Sequence, residues 1–176
     1  GRSVYFELLF QNKALLKRLA SLFDLSEWIA DEVSQYPMLL EDLIHSGDRD
    51  RFDKTILLQR LQQQLATIAG DIELELDSLR LLKREQTLVI ASAELSQEID
   101  ADQVSHYLCD LAEVVLEAVY QLSTQALQQQ YGKPQCGAAD ERRVAELAII
   151  GYGKLGGYEM HYQSDLDLIF LHDSSG

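Results

Sequence analysis

Two aspartates two positions apart, Asp165 and Asp167, open the apolar run "DLDLIFLH". Just before them lie four glycines, Gly151, Gly153, Gly156 and Gly157. Residues two apart on a strand project from the same face. Two carboxylates on one rigid face, beside exposed backbone N–H groups, suit a metal-bound triphosphate. Magnesium takes carboxylate and phosphate oxygens and keeps several waters. Glycines let the backbone approach phosphates without a Cβ in the way. Two magnesium ions at such a site stabilise the attacking and leaving oxygens of a displacement. Lys154, inside the glycine run, either neutralises a phosphate as a mobile point charge or is an exposed turn lysine with no such role.

Other chemistry competes for the same residues. A D-x-D pair alone is commonly a solvated strand edge or a turn cap. Here it follows a glycine turn set between two apolar strands, which favours a site. Gly151, Gly153 and Gly156 also satisfy G-x-G-x-x-G, the dinucleotide fingerprint. A parallel crossover needs about 10–12 residues or more, helix included, and only eight separate Gly156 from Asp165. A ribose-binding acid would also close the second strand, whereas these open it. No G-K-[ST] occurs, which excludes a Walker A loop. The short connection predicts a tight antiparallel reversal between "VAELAII" and "DLDLIFLH".

The elements that must position this reversal are helical. Leu15, Leu16, Leu19 and Phe23 follow helical spacing after a cap at Asn12. Ser26 caps "EWIADEVSQY", and Pro37 suits the first turn of "PMLLEDLIH". Ser46-Gly47-Asp48 signals a loop. A pattern from about Asp53 to Ala69 places Leu58, Leu61, Leu65 and Ile68 on one stripe. Gly70 ends it, and Asp71 caps a helix over roughly Ile72–Leu95. The last helix starts near Asp102. Its stripe, Val104, Leu108, Leu111, Val115, Ala118 and Leu122, alternates steps of four and three, as a bundle-facing surface does. Gly132 stops it, and "GKPQCGAADERR" reads as an exposed linker.

The bulk properties narrow the function classes. The chain has 176 residues and a net charge of −14, with 47% apolar and 25% charged residues. An acidic balance argues against nucleic acid as a partner, since phosphate backbones call for a basic face. Cys109 in a helix and Cys136 in a loop lack C-x-x-C neighbours, so free reduced thiols are expected, in keeping with a cytoplasmic setting. No secretory leader and no apolar run of about 18 residues is present, so no membrane association is expected. His161 and His172 flank the aspartates as exposed or structural residues. Glu159 either orients the loop or is a plain surface acid. Asp110, Glu113 and Glu117 read as a solvated helix face, and Arg80, Lys83 and Arg84 as a small basic surface cluster.

The stretch "GYGKLGGYEMHYQSDLDLIFLHD" resembles the glutamine synthetase adenylyltransferases, members of the polymerase-β-like nucleotidyltransferase superfamily. Their signature, G-x-G-K-x-G-G-x-E followed by S-D-[LI]-D-L-[IV]-F, is present in full. The upstream "RSVYFELLFQNKALLKRLASLFDLSEWIADEVSQYPMLLEDLI" is similar to the family's helical region between two catalytic domains. The resemblance implies a mainly α fold: a helical bundle at 1–131, a linker at 132–143, and at 144–176 the truncated start of a nucleotidyltransferase domain, a two-stranded, incomplete piece of its α/β palm. Family members are bifunctional, one domain removing AMP from glutamine synthetase and the other adding it. The ending "FLHD" looks like the adenylylating copy.

By this resemblance Asp165 and Asp167 are catalytic and bind Mg2+. Gly153, Lys154, Gly156 and Gly157 form the nucleotide loop for ATP, and Ser164 supports it. The implied partners are glutamine synthetase and the PII signalling protein. The superfamily also needs a third carboxylate on a later strand, which this chain does not reach. It is therefore expected to be a fragment, inactive alone. A second, non-catalytic reading keeps the helices as a binding or coupling module for glutamine synthetase or PII.

Overall fold

The computed structural model describes residues 13–40, 52–137 and 142–173. Helix α1, Lys13–Leu25, leads into α2, Glu27–Gln35. Ser26 caps α2, its hydroxyl accepting from the Ile29 N–H at 3.4 Å. Pro37 then starts a single 3-10 turn, Pro37–Leu39. Leu40 after it is buried, while residues 41–45 of the predicted "PMLLEDLIH" helix, the Asn12 cap and the Ser46–Asp48 loop lie outside the described residues. Helix α3 is Lys54–Thr67, with Asp53 accepting from the N–H groups of Thr55 and Ile56. Helix α4, Ile72–Leu95, is capped by Asp71 in the same way. Helix α5 runs 31 residues, Ala101–Tyr131. It opens on a reciprocal box between Asp100 and Gln103, which satisfies two orphan donors at once.

Helices α4 and α5 form a spine with three apolar clusters along it. Leu19, Leu22, Ile29, Val33 and Leu39 pack on Leu88 and Ala91 of α4. Leu57 and Leu61 of α3 pack between Leu79 and Leu82 of α4 and Leu111, Val114 and Ala118 of α5. Each such Leu or Val contributes about 1.5–3 kcal/mol by leaving water. The third cluster joins Ile90, Val104, Leu108 and Cys109 to Leu155 and Met160 from the C-terminal region.

The α5 stripe is largely as its spacing predicts. Val104, Leu108, Leu111 and Ala118 are buried, while Val115 and Leu122 are half-buried. Cys109 and Val114 are buried as well, because α5 is gripped from two sides. On α1 the buried pair is Leu19 and Leu22, whereas Leu16 and Phe23 are exposed. On α3 the buried line is Leu57 and Leu61, with Leu58 and Leu65 at its margin. On α3 the predicted stripe, Leu58, Leu61, Leu65 and Ile68, is buried or half-buried and is widened by Leu57; on α1 burial runs through Leu19 to Leu22 rather than to Phe23, and the Leu15 side chain lies outside the described residues. The pattern within a helix does not say where the neighbouring helix lies.

Two short antiparallel ladders follow. Strand β1, Gln135–Cys136, pairs with β2, Arg143–Val144. Cys136, read as a loop residue, is thus a buried strand residue, and like Cys109 it is a free thiol. Strand β3, Leu147–Tyr152, pairs antiparallel with β4, Asp167–His172, as the short connection requires. The register sets Gly151 opposite Leu168 and Tyr152 opposite Asp167. Strand β4 therefore begins at Asp167, two residues later than its sequence pattern. After Tyr152 the partner backbone turns away at Gly153, so nothing remains to pair with Asp165.

Among the described residues the architecture is mainly helical, with two small sheet portions. No described helix is long and apolar enough to cross a membrane.

Candidate functional site

The glycine run forms one helical turn, α6, Gly153–Gly156, between β3 and the loop that leads to β4. Two close approaches explain its glycines. Gly153 has φ +55°, and a Cβ there would lie 2.5 Å from Asp167 Oδ2. The Asp167 carboxylate thus sits directly against the Gly153 backbone. At Gly156 a Cβ would lie 2.7 Å from the Gly151 carbonyl oxygen, so the turn presses on the end of β3. Leu155, between them, is 5% exposed and points into the third apolar cluster.

The loop that follows is tied into a tight return. The Gly157 N–H donates to the Gly153 carbonyl, and the Glu159 N–H to the Lys154 carbonyl. Glu159 therefore closes the loop through its backbone. Tyr158 takes a left-handed φ of +56°. Its ring lies 5.2 Å from that of His106 on α5. Met160 is buried beside Leu155. The His161 N–H donates to Ser164 Oγ at 2.8 Å, and the Ser164 N–H returns to the His161 carbonyl at 3.0 Å. Ser164 is thus bound into the turn immediately before Asp165.

Asp165 and Asp167 are both exposed, and no described residue hydrogen-bonds or pairs with either carboxylate. Asp167 is held by the ladder; Asp165 precedes it. Lys154 is exposed on the turn. His161 contributes its backbone to the Ser164 turn, and His172 ends β4 opposite Leu147. Among the described residues, no group of three or more His, Cys, Asp or Glu side chains is placed to hold a metal. Two exposed, unpaired carboxylates still offer hard oxygen donors of the kind magnesium takes. They fit as part of a ligand shell, with phosphate and water oxygens to fill the rest.

A cleft of about 300 Å³ lies on the other face of the hairpin. It is lined by Glu113, Leu116 and Tyr120 of α5 and by Ile149, Gly151 and Leu168. Register places Gly151 and Leu168 on one face, and Tyr152 and Asp167 on the opposite one. The cleft is therefore behind the glycine turn rather than at the carboxylates.

Three of the charged residues read as surface features, Asp110, Glu113 and Arg84, join elements. Lys54 of α3 pairs with Glu113 and lies 3.7 Å from Asp110. Glu113 holds the Lys54 ammonium above its ordinary range. Desolvation raises the Asp110 carboxyl, although Lys54 opposes the shift. Arg84 donates to both oxygens of Glu32 at 3.2 and 3.1 Å and stacks 4.7 Å over Tyr36, joining α4 to α2. Arg80 pairs with Asp77 on its own helix.

The residues missed by sequence reasoning are those that dock the loop: Leu155, Met160, Tyr162 and Glu94. The Tyr162 hydroxyl donates to Glu94 Oε2 at 2.6 Å across 68 residues of chain. The one signal available was two tyrosines and a methionine within the otherwise polar "YEMHYQ".

Fold and site together define a mainly helical protein with a carboxylate-bearing antiparallel hairpin behind a glycine turn. Residues 16–176 match the Glutamate-ammonia ligase adenylyltransferase family, and the chain belongs to it. It is 40% identical over 179 residues to a bifunctional glutamine synthetase adenylyltransferase/adenylyl-removing enzyme of Hahella chejuensis, covering 99% of this chain. It is 38% identical over 181 residues to the protein of the same description from Alteromonas mediterranea, again covering 99% of this chain. The chain spans about 18% of the length of these two relatives.

Proposed function

We propose that this chain is part of a longer cytoplasmic enzyme that transfers AMP from ATP to a tyrosine hydroxyl of glutamine synthetase, regulating nitrogen assimilation. In this reading residues 1–131 are the helical region, 132–143 a linker, and 144–176 the start of the adenylylating nucleotidyltransferase domain. The observation that carries it is the Asp167 carboxylate seated against Gly153, at the turn where the hairpin reverses. The relatives' description supports the substrate and the reaction class. Four exposed apolar side chains on the Asp167 face of the hairpin, Ile150, Tyr152, Ile169 and Leu171, support the packing of further elements there.

Asp165 and Asp167 would hold Mg2+, which supplies charge neutralisation at the phosphates when bound. The backbone of Gly153, Gly156 and Gly157 would pass close to the ATP phosphates, with Lys154 adding a positive charge. Ser164 would support the loop through its bond to His161. The tyrosine oxygen attacks the α-phosphorus, the bond to the bridging oxygen breaks, pyrophosphate leaves and the phenolic proton is released. Catalysis here is positioning and charge stabilisation rather than covalent chemistry by the protein.

A second reading rests on the burial of Leu155 and Met160 among α4 and α5 side chains. The helices would then act as a coupling module, contacting glutamine synthetase or PII and passing that contact to the hairpin. Radiolabelled AMP incorporation into glutamine synthetase tests the main reading. The full-length protein should transfer AMP, and the 176-residue chain should not. Robust transfer by the short chain, or none by the long one, would overturn it.

A further inference from the structure

We propose that Tyr162 and Glu94 are positioning residues for Asp165, and that their hydrogen bond ties the strap carrying Asp165 to the helical bundle. The proposal rests on the magnesium–nucleotide reading above.

The two carboxylates have different supports. Asp167 is a ladder residue, opposite Tyr152 and against Gly153. Asp165 has no ladder partner, so its position depends on the strap from Leu155 to Ser164. The inner part of the strap is fixed by packing. Leu155 and Met160, 5% and 7% exposed, sit among Ile90, Val104, Leu108 and Cys109. Cys109 Sγ lies 4.0 Å from the Leu155 carbonyl oxygen.

The outer part stands off the bundle. A cleft of about 580 Å³ runs beneath it, lined by Glu94, Ser105, His106, Tyr158, His161 and Tyr162. The Tyr162–Glu94 hydrogen bond, at 2.6 Å, spans this gap. That distance lies within the ordinary range for an O–H···O hydrogen bond, so the phenol and the acceptor oxygen are in direct contact. Burial and the Glu94 carboxylate both raise the Tyr162 phenol, which therefore keeps its proton and remains the donor. Two residues on, Ser164 closes its turn with His161 and hands the chain to Asp165. Glu94 is next to the last residue of α4. A shift of that helix end would therefore move Asp165 relative to Asp167, linking the helical region to the geometry of the metal ligands.

The test uses the full-length protein with Tyr162→Phe, Glu94→Ala, Glu94→Gln and Asp167→Asn. The measurements are Mn2+ binding by electron paramagnetic resonance, the Mg2+ dependence of AMP transfer, and far-UV circular dichroism. Tyr162→Phe and Glu94→Ala should each weaken Mn2+ binding about tenfold, as loss of a group supporting a metal ligand does. They should raise the half-saturating Mg2+ concentration equally, with transfer recovered at saturating metal. Glu94→Gln retains an acceptor oxygen and should stay within about twofold of the parent. Should Tyr162→Phe lower folding, Glu94→Ala, which keeps the Tyr162 ring, carries the comparison.

Unchanged metal binding in both Tyr162→Phe and Glu94→Ala would overturn the proposal, as would failure of Glu94→Gln to rescue. Asp167→Asn separates the two levels. If it keeps Mn2+ binding and transfer, the magnesium reading itself fails. If it loses both while Tyr162→Phe matches the parent, only the positioning role fails.

Discussion

Replacing Gly153 by alanine acts directly on the seat of Asp167. The new Cβ would lie 2.5 Å from Asp167 Oδ2, at a backbone φ of +55°. The left-handed conformation costs a non-glycine residue about 1–2 kcal/mol. In a chain of this size each kcal/mol lowers the melting temperature by about 2–4 °C. A fall of about 2–8 °C is therefore expected for the 176-residue chain. The carboxylate is the free end of a side chain, so it can yield at little further cost. To reach ordinary van der Waals distance it must move by about 1 Å, and a misplacement of that size costs on the order of 10²-fold in rate. The full-length variant should accordingly fold and lose AMP transfer by about that factor. Gly157→Ala is the control for stability. Its φ is negative, and its nearest neighbour is the Gly153 carbonyl oxygen at 3.4 Å. Thermal melts followed by circular dichroism, with radiolabelled AMP transfer in parallel, measure both effects. A Gly153→Ala protein with transfer within twofold of the parent would refute the argument. So would a Gly157→Ala chain that melts as low as Gly153→Ala.

In the full-length protein Asp165→Asn or Asp167→Asn should leave the fold intact and lower AMP transfer on the order of 10³-fold, with Lys154→Ala costing less; near-normal transfer by Asp167→Asn would contradict the metal-ligand role. The Asp173 carboxyl is held below the ordinary carboxylate range by the Glu146 N–H and then by Arg143. A depressed folded-state pKa means stability that is present above the unfolded value and lost as pH falls through the folded one. The end of the β3–β4 hairpin should therefore loosen only in strong acid, and a carbon NMR titration of Asp173 with a midpoint at or above that of a free aspartate would contradict this. Lys54→Met should destabilise the chain by no more than about 1 kcal/mol, because the Lys54 pair with Glu113 is partly exposed and screened. Urea unfolding that shows a loss above about 2 kcal/mol would mean that the α3–α5 bridge matters more than this.

What could be read from the sequence was what local physics settles. The caps at Ser26 and Asp71 act within three residues of themselves, so they were legible. The α5 stripe was legible because a helical period needs no partner to define it. The antiparallel hairpin followed from eight residues being too few for a crossover. The glycine turn and the D-x-D pair were visible as types and spacing. Their family resemblance was visible too, and the match over residues 16–176 bears it out. Tertiary structure decided the rest. It decided which flank of each stripe is sealed, Leu22 rather than Phe23 on α1 and Leu57 beside Leu61 on α3, because burial depends on where the neighbouring helix lies. It began β4 at Asp167 rather than Asp165, because the partner strand ends at Tyr152. It converted Asp110 and Glu113 from a solvated face into the acceptor side of Lys54, 59 residues from Glu113. It also joined Tyr162 to Glu94. A single tyrosine in a polar loop carries no sign of which distant carboxylate will stand beside it. That contact exists only once Leu155 and Met160 have docked the loop onto α4 and α5, and docking is a property of two surfaces rather than of one stretch of chain.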